Sequence, residues 1–104
     1  MNSYVKLEVE KGIGSIEFFH HQSNSLPRSI LKQLAETITE AGANDEILVV
    51  ILRSGGDGAF CAGASFDELL AIEDETQGTQ FFSGFANVIN TARKCPKFII
   101  CRVQ

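Results

Sequence analysis

Apolar and polar residues alternate near the start of the chain: Val5, Leu7 and Val9 are interleaved with Lys6, Glu8 and Glu10. That is the period of a strand with one covered face. Lys11-Gly12 supplies a turn and Ile13 to Phe19 returns, so residues 4–19 predict a hairpin. Gln22 to Ser25 is polar and predicts a loop. The period then lengthens. Ile30, Leu31, Leu34, Ala35, Ile38 and Ala41 recur at steps of three and four, the stripe of a helix with Pro27 early in it and its end near Gly42.

Ile47 to Leu52 is apolar without alternation, as in a strand covered on both faces. A run of small residues follows, and then a short helix over about residues 66–72. Gly78 to Lys94 predicts a longer helix with Phe81, Phe82, Phe85, Val88, Ile89 and Ala92 on one stripe. Cys95-Pro96 stops it, and Lys97 to Val103 predicts a last strand. The order β-β-α-β-α-α-β is an α/β fold with a mostly parallel sheet and helical crossovers. Phe98-Ile99-Ile100-Cys101 has the composition of an interior strand, yet no strand is predicted beside it. Long apolar edges invite pairing with another chain.

Composition narrows the field without naming a function. The 104 residues make one domain at most. A formal charge of −4 with no basic run disfavours nucleic acid and anionic membranes as partners. No apolar stretch reaches membrane-spanning length, and the first residues carry no signal-peptide core. Cys61, Cys95 and Cys101 are odd in number and lack CxxC spacing, which predicts free thiols, a cytoplasmic setting and no metal.

The chemistry concentrates in Gly55-Gly56-Asp57-Gly58-Ala59-Phe60-Cys61-Ala62-Gly63-Ala64-Ser65-Phe66. A strand that opens through small residues into a helix start leaves backbone N–H groups free to meet an anion. Read bare, the stretch is a βα turn whose glycines permit tight turning. It is no nucleotide loop, since GxGxxG and GK[ST] are both missing. His20-His21 reads as a solvated loop pair, Cys61 as a small packing residue, and Asp67-Glu68 as acids favouring a helix start. Ser25 reads as a cap for the helix that follows it.

Ala59-Phe60-Cys61-Ala62-Gly63-Ala64 closely resembles the "AFCAGAD" signature of the enoyl-CoA hydratase/isomerase (crotonase) family, and Asn24-Ser25-Leu26 resembles its "NAL" element. The resemblance implies a crotonase-like fold and an acyl-CoA thioester ligand, with coenzyme A present as part of the substrate rather than as a bound cofactor. It implies that the Ala64 N–H serves as an oxyanion donor. Asn24, Ser25, Leu26, Ala62, Gly63 and Phe66 would then flank the coenzyme A. It further implies that one of Phe81, Phe82 and Phe85 borders the acyl chain.

Arg102-Val103-Gln104 aligns with the family's "AVNG" strand end. The family's "GxxxGGG" loop, its acid/base glutamates and its oligomerisation helices have no counterpart among residues 1–104. The expectation is therefore a single partial crotonase-like domain, inactive alone. Two alternatives stand beside it: an interaction module that self-associates or pairs with a complementary chain through its open sheet edge, and a minimal acyl-CoA binder without chemistry.

Overall fold

The structure, a computed structural model, describes residues 3–104. Its strands are β1 (Tyr4–Glu10), β2 (Ile13–Phe19), β3 (Ser25–Leu26), β4 (Val49–Ser54), β5 (Gly63–Ala64) and β6 (Phe98–Arg102). Its helices are α1 (Arg28–Ala43), α2 (Phe66–Leu70) and α3 (Glu75–Lys94). Four strands form the main sheet in the order β1-β2-β4-β6, while β3 and β5 form a small ladder of their own. β1 and β2 are an antiparallel hairpin, and β2, β4 and β6 run parallel. The hairpin turn has Lys11 at φ 51° and Gly12 at φ 81°. Two left-handed residues in a two-residue loop match the twist of the strands they join.

Alternation decides which face is covered. Val5, Leu7, Ile16, Phe18, Val50, Leu52 and Ile99 point to one side and pack with the stripe of α1. On α1, Ile30, Leu31, Leu34, Ala35, Ile38 and Ala41 are buried. Gly14 lies in this layer because a Cβ there would sit 2.6 Å from Ile47 Cδ1. α3 packs on α1 rather than on the sheet. Gly84 permits that approach, since its Cβ would meet Leu31 Cδ1 at 3.0 Å. The Lys97 ammonium donates to the carbonyls of Ala41, at 3.0 Å, and Asn44. A cation thus closes the C-terminal end of α1, where the unpaired carbonyls favour it.

The other face of the sheet carries ordered rows. Ile13, Val49 and Phe98 are in register, then Ser15, Ile51 and Ile100, then Glu17, Arg53 and Arg102. Glu17 collects the polar contacts of this face. It accepts the Tyr4 hydroxyl and forms ion pairs with Lys6 Nζ at 3.5 Å and Arg53 Nε at 3.1 Å. The Arg53 contact is an ion pair without hydrogen-bond geometry. The Tyr4 hydrogen bond, helped by the two cations against the cost of burial, holds the Glu17 carboxyl below its usual range. The same bond raises the Tyr4 phenol.

α1 ends near Gly42 as expected, running through Ala43 to a cap at Asn44. Three expectations need correction. α3 starts at Glu75, ahead of Gly78, because the Asp74 carboxylate caps it by accepting the Gln77 N–H at 2.8 Å. The apolar run at 47–52 is not covered on both faces, for Val49 and Ile51 are only half-buried. The α3 stripe divides: Phe81 is 2 % exposed, whereas Phe82 and Ile89 are 54 % and 59 % exposed. The twenty-residue helix rests on α1 along only part of that stripe.

Candidate functional site

β3 and β5 bring together the two segments singled out by sequence. Ser25 pairs with Gly63 and Leu26 with Ala64, in parallel. The ladder is bounded by two bonds: Ala62 N–H donates to Asn24 O at 3.2 Å, and Ser65 N–H donates to Leu26 O at 3.3 Å. Asn24, Ser25, Leu26, Ala62, Gly63 and Ala64 therefore share one small ladder. Phe66 follows at the start of α2 and is 64 % exposed. The ladder is short because Gly63 has φ 98°, which bends the chain between its two bounding bonds. A Cβ on Gly63 would meet nothing within 4 Å, so the left-handed backbone is what calls for glycine there.

Asn24 anchors the loop that leads to β5. Its side-chain amide donates to Gly55 O at 3.2 Å and to Ala59 O at 2.8 Å. Its side-chain oxygen accepts the His20 N–H at 2.8 Å. Ser23 and Asn24 have φ of 56° and 57°, a left-handed conformation that Asn tolerates better than most residues. Ser25 does not cap α1 as expected. Its hydroxyl donates to Gln22 O at 2.9 Å, and the N-cap of α1 is Pro27, which offers no side-chain acceptor. The missing acceptor comes from α2: Glu68 Oε1 accepts the Arg28 N–H at 2.9 Å.

The N-terminus of α2 is held by Ser65, whose hydroxyl oxygen accepts the Glu68 N–H at 3.4 Å. Asp67 accepts from the Gln22 side chain at 3.3 Å. His20 is half-buried rather than solvated, and stacks on His21 with ring centroids 4.4 Å apart. Burial chiefly, with the neighbouring His21 second, holds the His20 imidazole below its ordinary value, while Asp67 and Glu68 pull the other way. Cys61 is half-buried against the core, and its sulfur lies 3.4 Å from the Gly63 N–H. Sequence reasoning missed the Asn24 and Glu68 bonds, which join positions 31, 35 and 40 residues apart and leave no local pattern.

A cleft of about 360 Å³ opens beside α2, lined by Arg28, Glu68, Ala71, Ile72, Gln77, Gln80 and Phe81. Phe81 is the one member of the Phe stripe that faces it, and Ala64 is not part of its wall. Among the described residues there is no cluster of three or more His, Cys, Asp or Glu suited to a metal ion. None of the described helices is long and apolar enough to cross a membrane.

A parallel sheet entered by a hairpin, covered by α1, with a side ladder of β3 and β5, is the fold of the crotonases. A solved enoyl-CoA hydratase/isomerase (crotonase) from Legionella pneumophila superposes with a TM-score of 0.87 at 19 % identity, over 98 % of this chain and 40 % of its own. An enoyl-CoA hydratase/carnithine racemase from Magnetospirillum magneticum superposes with a TM-score of 0.86 at 26 % identity, over 95 % of this chain and 38 % of its own.

The sequence profile of the enoyl-CoA hydratase/isomerase family matches residues 8–104, and the chain belongs to that family. Mitochondrial methylglutaconyl-CoA hydratase from Mus musculus is 30 % identical over 73 residues, 70 % of this chain and 23 % of that protein. The 6-oxocyclohex-1-ene-1-carbonyl-CoA hydrolase of Syntrophus aciditrophicus is 26 % identical over 86 residues, 80 % of this chain and 22 % of that protein. The chain thus spans under a quarter of these two relatives and about 40 % of the solved structures.

Proposed function

We propose that this chain forms one wall of an acyl-CoA site, with the Ala64 N–H as a donor to the thioester oxygen, and that it turns over no substrate by itself. The β3–β5 ladder is the observation that carries this reading. Ser65 N–H is directed at Leu26. Successive N–H groups of an extended chain point to opposite sides, so the Ala64 N–H is turned away from β3. A backbone donor fixed in place needs no reorganisation when negative charge develops on an oxygen, and one such donor is worth about 2.7–4 kcal/mol in a transition state. Coenzyme A enters as part of the substrate, alongside Ser25-Leu26, Ala62, Gly63 and the exposed Phe66 ring, with Asn24 buried behind them.

The engagement of the two carboxylates nearest the ladder supports the proposed lack of turnover. Hydration of an enoyl thioester needs a carboxylate within hydrogen-bond reach of water and a proton source for Cα. Glu68 is engaged by the Arg28 N–H, and Asp67 by Gln22. The test is calorimetric binding of butyryl-CoA against S-butyl-CoA, which lacks the carbonyl oxygen. The wild type prefers the thioester by about 1–2 kcal/mol, one hydrogen bond's worth, and Ala64→Pro, which deletes the N–H, abolishes the preference. Equal wild-type affinities refute the reading. Loss of crotonyl-CoA absorbance at ordinary enzyme rates, about 1–1000 per second, refutes the inactivity.

A second reading is favoured by the outer edge of β6, where Phe98 and Ile100 are 86 % and 57 % exposed. We infer that this edge pairs with a second copy, antiparallel about Ile100. That register sets Arg102 opposite the partner's Phe98, a cation over an aromatic face, and Lys97 opposite Val103, so no like charges meet. Sedimentation that shows only monomer at high micromolar concentration excludes it.

A further inference from the structure

The run from Gly55 to Ala62 is built of small residues apart from Asp57, Phe60 and Cys61. Such a run has little preference of its own, because glycine and alanine leave the backbone free. Something outside it must select one conformation. Its first residue is held by Gly55 N–H donating to Phe18 O at 2.8 Å. The Phe60 ring packs edge-on against Phe18. The remaining buried anchor is Asn24.

Asn24 is 3 % exposed, and its side chain is spent on backbone partners. Both amide hydrogens are used, on Gly55 O and Ala59 O, and the amide oxygen takes the His20 N–H. The Asn24 carbonyl accepts from Ala62. One residue therefore ties the end of β2, the end of β4 and two points of the loop. Two residues beyond the last of these ties lies Ala64.

We propose that Asn24 is a positioning residue for the Ala64 amide, holding the Gly55–Ala62 loop in the conformation that presents that N–H to a thioester oxygen. The proposal rests on the acyl-CoA reading above and gives Asn24 a role through the loop rather than through contact with coenzyme A. No shorter polar side chain makes the same three bonds. Aspartate at this position would set a carboxylate oxygen against the carbonyls of Gly55 and Ala59.

The test uses the full chain labelled with 15N. In the wild type the Asn24 carboxamide protons exchange about tenfold to a hundredfold more slowly than those of exposed side-chain amides, as buried bonded donors do. Exchange at the exposed rate overturns the proposal without any variant. Asn24→Ala and Asn24→Asp are then compared, with slow exchange at Ile16 and Val50 as proof of folding. Exchange at Ala62 and Ser65 rises by about tenfold, and preference for butyryl-CoA over S-butyl-CoA falls to about one while S-butyl-CoA affinity is kept. A folded variant that keeps its loop protection or its thioester preference overturns the proposal. A wild type without thioester preference refutes the acyl-CoA reading itself, and the positioning role falls with it. If both variants unfold, the wild-type carboxamide exchange decides.

Discussion

The Glu68 carboxylate accepts the Arg28 backbone N–H at 2.9 Å, so a side chain of α2 caps the first turn of α1 from 40 residues away. Pro27 sits at the N-cap with no side-chain acceptor to offer, and no acidic residue lies in the first turn. Glu68 supplies both the acceptor and the negative charge that a helix N-terminus favours. Because Glu68 is also the fourth residue after Ala64, the cap fixes how the segment after β5 leaves the ladder. Glu68→Ala lowers stability by about 1 kcal/mol. Glu68→Gln keeps an acceptor and loses about 0.3–1 kcal/mol. Urea unfolding followed by circular dichroism checks the order wild type, then Gln, then Ala; an alanine variant as stable as wild type refutes the cap.

The Tyr4–Glu17 bond makes a prediction with a defined pH window. The folded carboxyl of Glu17 lies below its reference value of 4.5, so its contribution is complete above that value and is lost as pH falls through the folded value. The Tyr4 phenol lies above its reference value of 10.0, so its contribution is complete below that value and is lost as pH rises through the folded one. Tyr4→Phe removes the donor and lowers stability at pH 7 by about 0.5–1.5 kcal/mol. The gap between wild type and variant narrows below pH 4.5 and again above pH 10. Because phenylalanine keeps the ring stacked on Phe19, with centroids 5.5 Å apart, a gap constant across both windows refutes the hydroxyl–carboxylate bond as the source of the difference.

His20 adds a third pH dependence. Burial holds its folded imidazole below the reference value of 6.5. The unfolded chain therefore takes up the proton first, and stability falls as pH drops from 6.5 toward the folded value. Scanning calorimetry between pH 7.5 and 5.5 registers a falling midpoint in the wild type. His20→Gln flattens that slope, since glutamine does not titrate; an equal slope in the variant refutes the assignment to His20.

The hairpin and the stripe of α1 were legible because each shows its period within one element, and the strands near 47–52 and 97–103 because each is a short apolar run, displaced in the fold to 49–54 and 98–102. The two bonded loops of the candidate site were legible only as similarity to a family, through Asn24-Ser25-Leu26 and the run ending at Ala64. Their meeting was not legible. A two-residue ladder between Ser25–Leu26 and Gly63–Ala64 has no period to read, and the partners lie on opposite sides of α1 in sequence. The same reason hid the cap of α1. Local reasoning assigned it to Ser25, the nearest hydroxyl, whereas Pro27 displaces the N-cap by two residues and the acceptor arrives from α2. The exposed half of the α3 stripe was misread because periodicity gives the width of an apolar face but not whether a neighbour covers it.

The contact between Gly14 and Ile47 tests the packing beneath α1 most directly. Ile47 precedes β4, is 1 % exposed, and fills the space that a side chain at position 14 would take. A Cβ at Gly14 would lie 2.6 Å from Ile47 Cδ1 and 3.1 Å from its Cγ2, too close for either atom to stay in place. Gly14→Ala therefore overpacks the core and costs about 1–3 kcal/mol. Ile47→Val removes Cδ1 and alone costs about 0.5–1.5 kcal/mol through the space it leaves. The two changes compensate when combined, because the new methyl occupies the volume the old one vacated. The double variant is then more stable than the sum of the single effects predicts, by about 0.5 kcal/mol or more. Strict additivity across the four proteins of the cycle, measured by urea unfolding, rules out this contact as the reason position 14 is glycine.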